Sequence, residues 1–462
     1  MPSDLAEYIA AIRVIDTHSH MQSDLQWEEN GPRDVLVDLF GMYSRDDLAI
    51  AGATPEAVAR LLDGTNPDIE GRFAAVADAW QAMQYTGYGE AVRIVASQLY
   101  GIEEITGPTA RQAQPQLDML RTAAGSLHIL RDRANLDHIQ IDGGLQVPES
   151  TPGAADFFLR DLSWVRFCNG DFSAEFRATL VEMTGVTVTD LASLDRAMET
   201  LFEQNGPCSI AVKSQHAYQR TLAWQEWDDA SAERALRAIL ANEPGTEGSE
   251  SPARLCLGDW CVGRGAELAG GYHLPFKIHT GYLAGTATVA NTSDWMPLQR
   301  LRAANLTPLL STYPQTRFVL MHIAYPYDAE VLAIAKHFPN AYVDLCWAWS
   351  IDPMMSMDFV RRFLHTAPIN KLFGFGDDTR TPTMAYGYAT QMRRWLTRAL
   401  EAEIADGFLT ATEAMDIATR LLRSNQQACF NIEGAQRSVR EAVSDPSSYP
   451  WPYRYRHSSP TS

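Results

Sequence analysis

The chain has 462 residues, 46% of them hydrophobic and 21% charged, an ordinary globular composition with ample material for a core, so disorder is expected only at the ends. Its formal net charge is −19, from 57 acidic residues against 38 Lys and Arg, and a field of that sign disfavours nucleic acid and anionic membranes as partners. No stretch approaches about 18 uninterrupted apolar residues, and Asp4 and Glu7 stand where a signal peptide carries positive charge, so a cytoplasmic protein is expected.

In chain order, the first β-like run is Val14–His20, VIDTHSH. From Met21 to about Arg133 the apolar spacing is near 3.6, which predicts a mostly helical insertion rather than further strands. The second run is Leu136–Asp142, closed by Gly143 and Gly144, and the third is Leu162–Phe167, LSWVRF. A helix, LASLDRAMETLFEQN, leads to the fourth run at Ser209–Lys213. A helical stretch near Arg254–Leu268 precedes the fifth at Pro275–His279. The sixth and seventh are Arg317–His322 and Ala341–Cys346; the eighth, Lys371–Gly376, is followed by a long helix around Met384–Ala405. The segment after about Ser438, rich in Ser, Pro, Tyr and Arg, is expected to trail over the surface.

Apolar, β-branched runs separated by helices predict parallel strands buried on both faces, and eight of them predict a closed barrel. The expected fold is α/β, a distorted (β/α)8 barrel over residues 1–435, with the helical insertion at 21–133 after strand one and a surface tail at 436–462. No G-x-G-x-x-G follows a strand, and neither a P-loop nor a G-x-S-x-G elbow is present, which leaves nucleotide and serine-hydrolase readings without support. The six cysteines (168, 208, 256, 261, 346 and 429) show no disulfide framework; Cys256 and Cys261 in CLGDWC lack zinc-ribbon spacing. The sequons at Asn291 and Asn305 carry no glycosylation meaning in a cytoplasmic chain.

Polar residues fall at the carboxyl ends of these runs. His18 and His20, two apart on a strand, point the same way. Lys213 ends run four, His279 run five and His322 run six, with Asp377 and Asp378 after run eight. A lone H-x-H is weak, and one strand-end histidine is more often a satisfied core residue. Joint placement at the carboxyl ends, where such barrels collect catalytic groups, outweighs that reading. Imidazole and carboxylate donors suit Zn²⁺, with Mn²⁺, Fe²⁺ or Ni²⁺ as substitutes.

His18-Ser19-His20, KIHTG, MHIAYP and FGDD together resemble the amidohydrolase superfamily. The phrases PFKIHTGYL, RFVLMHIAYPYDAE, NAYVDLCW and KLFGFGDDT resemble its amidohydrolase-related branch, which also includes uronate-isomerase-like members. The resemblance runs from Val14 to about Ile432 and implies one or two divalent metals. It implies that His18 and His20 hold the more buried metal, and that His279 and His322 bind a second metal, or metal and substrate. The F-G-x-D pattern selects Asp378 as ligand and general base, with Asp377 one register step away. Lys213 is left with three roles: a carboxylated bridge between metals, a contact for a substrate anion, or a structural ion pair.

Arg166, Arg220 and Arg380 are candidate contacts for a substrate carboxylate or phosphate, although each also suits a surface ion pair. Tyr282, Tyr325, Trp347 and Trp349 follow strands five to seven and are candidate pocket walls, with packing as the plainer role. The expected function is hydrolysis of an amide, ester or lactone in a small polar substrate by metal-activated water, with Asp378 moving the proton and His279 or His322 steadying the oxyanion. The alternatives are uronate-type isomerisation or decarboxylation on the same scaffold, or a barrel that only binds. A homo-oligomer is compatible with all of them.

Overall fold

The computed structural model describes residues 4–143, 150–285 and 298–444. Its centre is one eight-stranded parallel sheet in the order β1 to β8. The strands are β1 (Val14–Ser19), β2 (Leu136–Ile141), β3 (Phe158–Ser163), β4 (Ser209–Ser214), β5 (Phe276–Ile278), β6 (Phe318–Leu320), β7 (Ala341–Asp344) and β8 (Leu372–Phe373). The chain beyond β8 closes the ring against β1: Thr17 N donates to Phe375 O at 3.1 Å, Asp378 N to His18 O at 3.0 Å and His20 N to Thr379 O at 3.0 Å. The fold is therefore a distorted (β/α)8 TIM barrel. Gly376 sits in this seam because a Cβ there would lie 2.8 Å from Cys346 Sγ and 2.9 Å from Thr17 Oγ1.

The barrel differs from the sequence expectation at strand three. The strand is Phe158–Ser163, four residues earlier than LSWVRF, and Val165–Cys168 is a short helical turn. Arg160 and Asp161 disguise it, since charges rarely lie in a buried strand. Here each is paired: Arg160 donates to Asn205 Oδ1 and Asp161 accepts from Lys277. Trp164 and Phe167 instead pack outside the barrel against Phe202, Phe172 and Phe176.

Met21–Arg133 is the predicted helical layer, from Asp24–Asn30 to Ala123–Leu127 and a π-helical turn at His128–Arg133. Ser23, Asp34, Thr54, Thr86, Thr106 and Thr122 each cap a helix start with a side-chain oxygen. The layer is bound to the helix after β8, Pro382–Ala405, at several points. Gln391 Nε2 donates to Gly87 O at 2.9 Å, Trp395 Nε1 to Glu90 at 2.8 Å and Thr383 Oγ1 to Asp38 at 2.7 Å. At the other end a helix covers Ile432–Ser444 and buries Val439 and Ala442, so the first part of the expected tail is packed structure. The rest of that tail, Gly144 and the Asn291 sequon lie outside the described residues. All six cysteines are buried and none is in a disulfide, and no described helix is long and apolar enough to cross a membrane.

Candidate metal centre

Strand geometry brings His18, His20, His279, His322, Lys213 and Asp378 to the carboxyl end of the barrel. His18 Nε2 and His20 Nε2 stand 3.3 Å and 3.4 Å from Asp378 Oδ1, and His322 Nε2 is 3.7 Å from Asp378 Oδ2. One carboxylate thus turns an oxygen to each of two histidine groups. Asp377 faces away: its N donates to Asp16 Oδ1 and its Oδ1 accepts from Thr379 N. Of the two aspartates in FGDD, Asp378 is the one whose carboxylate faces the histidines.

The hydrogen bonds fix which ring nitrogens are free. Carbonyl oxygens only accept, so each ring nitrogen facing one must carry the proton. His20 Nδ1 faces Asp142 O at 3.1 Å, His279 Nε2 faces Tyr282 O at 2.8 Å and His322 Nδ1 faces Cys346 O at 3.0 Å. The opposite nitrogens then present lone pairs inward. His279 Nδ1 and His322 Nε2 meet at 2.9 Å, two lone pairs face to face. That contact is repulsive unless a cation lies between or beside them. A proton suits poorly, because burial lowers the His279 and His18 pKa values well below the ordinary imidazole value and takes His322 down to about 3.

These residues fit a divalent metal. Neutral imidazoles anchored through the far nitrogen are what such ions require. Ligand atoms held at about 2.1 Å and roughly 90–110° stand about 3.0–3.4 Å apart, which the His18, His20 and Asp378 spacings match. A second group, His322, Cys346 and Asp378, also converges within 4.8 Å. Burial pushes the Asp378 carboxyl up to about 6, against the pull of His20 and Lys213.

The backbone supports the same reading. Asp378, His322, Ile323, Ala324 and Trp347 all have positive φ, between 46° and 62°. Left-handed backbone at non-glycine residues costs of order 1 kcal/mol each, and it clusters where a site needs a particular side-chain direction.

The other candidates scatter. Lys213 is fully buried, makes no hydrogen bond among the described residues, and has its Nζ 3.9 Å from Asp142 Oδ2. Trp347 lies over the histidines, its ring centre 5.3 Å from that of His322, with its indole N–H unpartnered. Tyr282 is half-buried 5.7 Å from Trp347, and Tyr325 stands 5.9 Å from Tyr282. Trp349 is core, donating to Gly374 O. The arginines lie elsewhere. Arg166, on the turn after β3, is engaged with Asp171, Ser173 and Glu175. Arg220 is buried against Asp259 at 2.6 Å, and Arg380 is exposed.

Sequence reasoning missed four neighbours. Tyr43, from the insertion, donates to Asp378 O at 2.6 Å and packs on Trp347 at 4.8 Å; nothing in its local sequence separates it from other helix-layer aromatics. Asp142, Asp161 and Lys277 had a signal. Lys277 lies two residues before His279, hence on the same inward face, and Asp142 closes run two as His279 closes run five.

Comparisons with known proteins bear on the fold and on one segment of the chain. A family model described as amidohydrolase matches residues 195–402, which contain Lys213, His279, His322 and Asp378. Protein fluG of Emericella nidulans is 26% identical over 238 residues, covering 49% of this chain and 26% of that protein, so the chain matches about a quarter of its length. Uronate isomerase from Thermotoga maritima superposes with a TM-score of 0.74 at 16% identity, over 92% of this chain and 96% of the other. Glucuronate isomerase from Caulobacter crescentus gives 0.70 at 18%, over 93% and 95%. A Lactobacillus casei protein provisionally described as a metal-dependent hydrolase gives 0.63 at 15%, over 94% and 99%. At these identities the structural likeness concerns the fold. Residues 195–402 therefore resemble the amidohydrolase family, and the chain shares its barrel fold with the two uronate isomerases.

Proposed function

We propose that the protein is a metal-dependent hydrolase of an amide, ester or lactone bond in a small polar substrate. The observation that carries this is the set of carbonyl-anchored imidazoles of His20, His279 and His322: the free nitrogens of His20 and His322 converge on Asp378, and that of His279 meets His322 at 2.9 Å. His18, His20 and Asp378 would hold one ion, and His279 and His322 a second; Zn²⁺ suits the donors. When bound, such an ion makes a water acidic enough to ionise near neutral pH and polarises a carbonyl oxygen. Asp378 takes the proton from the attacking water and returns it to the leaving group, a role suited to a carboxyl raised toward neutrality. Trp347, Tyr43 and Tyr282 wall the site and keep bulk water from it.

A second reading follows from Lys213. Beyond Asp142 Oδ2 at 3.9 Å the buried Lys213 ammonium has no hydrogen bond among the described residues, and two arrangements would relieve that cost: its neutral amine takes up carbon dioxide and loses a proton to become a carbamate, or the ammonium meets a substrate carboxylate. A substrate carboxylate favours uronate-type isomerisation or decarboxylation. One experiment separates these. Metal per chain is measured by elemental analysis on the wild type and Lys213→Ala, and the loaded enzyme is given N-acyl amino acids, lactones and uronates with products read by mass. Two metals falling to one, with products heavier by one water, support the hydrolase. One metal in both, with product mass unchanged or reduced by carbon dioxide, supports the second reading. No bound metal after reconstitution removes both.

A further inference from the structure

Cys346 follows β7, buried among the ligand candidates. Its carbonyl accepts from His322 Nδ1 at 3.0 Å, which leaves His322 Nε2 as the free nitrogen, and its thiol sulfur converges with a nitrogen of His322 and an oxygen of Asp378 within 4.8 Å. Among the described residues the sulfur's hydrogen-bond contact is a long one, to His18 O at 4.0 Å. Two local features hold it there. Trp347 turns the chain through a left-handed conformation at φ 61°, and Gly376 leaves the room that a Cβ, 2.8 Å from the sulfur, would take.

We propose that the Cys346 thiolate is a metal ligand, joining His322 and the second oxygen of Asp378 in the position that does not use His18 and His20. The inference rests on the metal-centre reading above and adds a soft donor to an otherwise nitrogen and oxygen set. Sulfur favours Zn²⁺ over Mg²⁺ or Mn²⁺ at that position. Loading displaces the thiol proton, which leaves to solvent as the metal–sulfur bond forms, so one more proton is released per chain than imidazoles and carboxylate alone would give.

The test is cobalt substitution. Metal-free protein is titrated with two equivalents of Co²⁺ per chain, and bound cobalt is counted while the near-ultraviolet thiolate-to-cobalt charge-transfer absorption is recorded. The same is done for Cys346→Ser and, as a smaller side chain against Gly376, Cys346→Ala, with circular dichroism confirming that each is folded. The other five cysteines remain in both variants and serve as internal controls. The expected result is a band in the wild type that is absent from both variants, with bound cobalt falling by about one per chain. Cobalt bound without the band, or a band that survives in the variants, overturns the thiolate assignment alone. No cobalt bound to the wild type overturns the metal centre beneath it as well.

Discussion

Two lysines on neighbouring strands, Lys213 on β4 and Lys277 on β5, are register partners, and both are fully buried. Their surroundings are opposite. Lys277 Nζ donates to both oxygens of Asp161, at 2.8 Å and 3.0 Å, and to Thr17 O at 2.6 Å, so all three of its protons are used. Lys213 Nζ makes no hydrogen bond among the described residues. A protein that can satisfy one buried ammonium completely has the means to satisfy its neighbour. Lys277 is finished structure, whereas Lys213 has only Asp142 Oδ2, 3.9 Å away, beside it among the described residues.

The largest expected effect lies at the mouth. His18→Ala or Asp378→Ala should lower turnover by at least about 1,000-fold and deplete bound metal, with the far-ultraviolet spectrum unchanged. Normal turnover in either variant would remove the site assignment. Next comes the lower layer. Lys277→Met strands the Asp161 carboxylate, which burial already raises to about 6 despite Lys277. Breaking a buried pair from one side costs about 3–5 kcal/mol. Denaturant unfolding should show that loss, and a variant as stable as the wild type would mean that Asp161 simply protonates.

Lys213→Met is the counterpart, and the two variants should differ in kind. Stability should hold within about 1 kcal/mol or rise, since no hydrogen bond is lost. Catalytic efficiency should fall by about 2–5 kcal/mol in activation terms, the effect of deleting one partner of a desolvated ion pair. A rise in KM with kcat kept indicates a substrate anion, whereas loss of one metal with kcat indicates a bridge. A variant that unfolds but turns over normally would collapse the comparison between the two lysines.

Much of this contrast was written in the chain as period two. His18 and His20, and the pairs Lys277–His279 and Asp344–Cys346, put polar groups on the inward side of strands whose other face is apolar. Reading the residues that end these runs finds most of the candidate ligands, and reading two residues back finds Lys277 and Asp344 beneath them. Strand three was misplaced because Arg160 and Asp161 look unlike a buried strand until Asn205 and Lys277, distant in sequence, supply their partners. Tyr43 was invisible for a related reason. Its position over Asp378 is set by how the helical insertion docks on Pro382–Ala405, and no local pattern encodes that docking. The candidate arginines failed differently. An arginine after a strand is ambiguous from sequence, and Arg166 and Arg220 already have acidic partners within their own loops and neighbouring helices.

The smallest effect concerns a third buried charge, one held by neutral donors only. Asp38, in the insertion, accepts from Tyr100 Oη at 2.6 Å and Thr383 Oγ1 at 2.7 Å, and burial pushes its carboxyl up to about 6 despite both bonds. The folded value is above the unfolded one, so this group favours folding at low pH and the benefit is lost as pH rises from about 4 through about 6. Asp38→Asn removes the ionisation and weakens one hydroxyl bond, a loss of about 1 kcal/mol that does not depend on pH. The difference in unfolding free energy between wild type and variant should therefore slope across pH 4 to 6, by at most about 3 kcal/mol, and be level above it. Taking the difference cancels the titrations that the two proteins share. A slope of the opposite sign would mean that the two hydroxyls hold Asp38 ionised, and that neutral donors can do for a buried carboxylate what Asp161 does for Lys277.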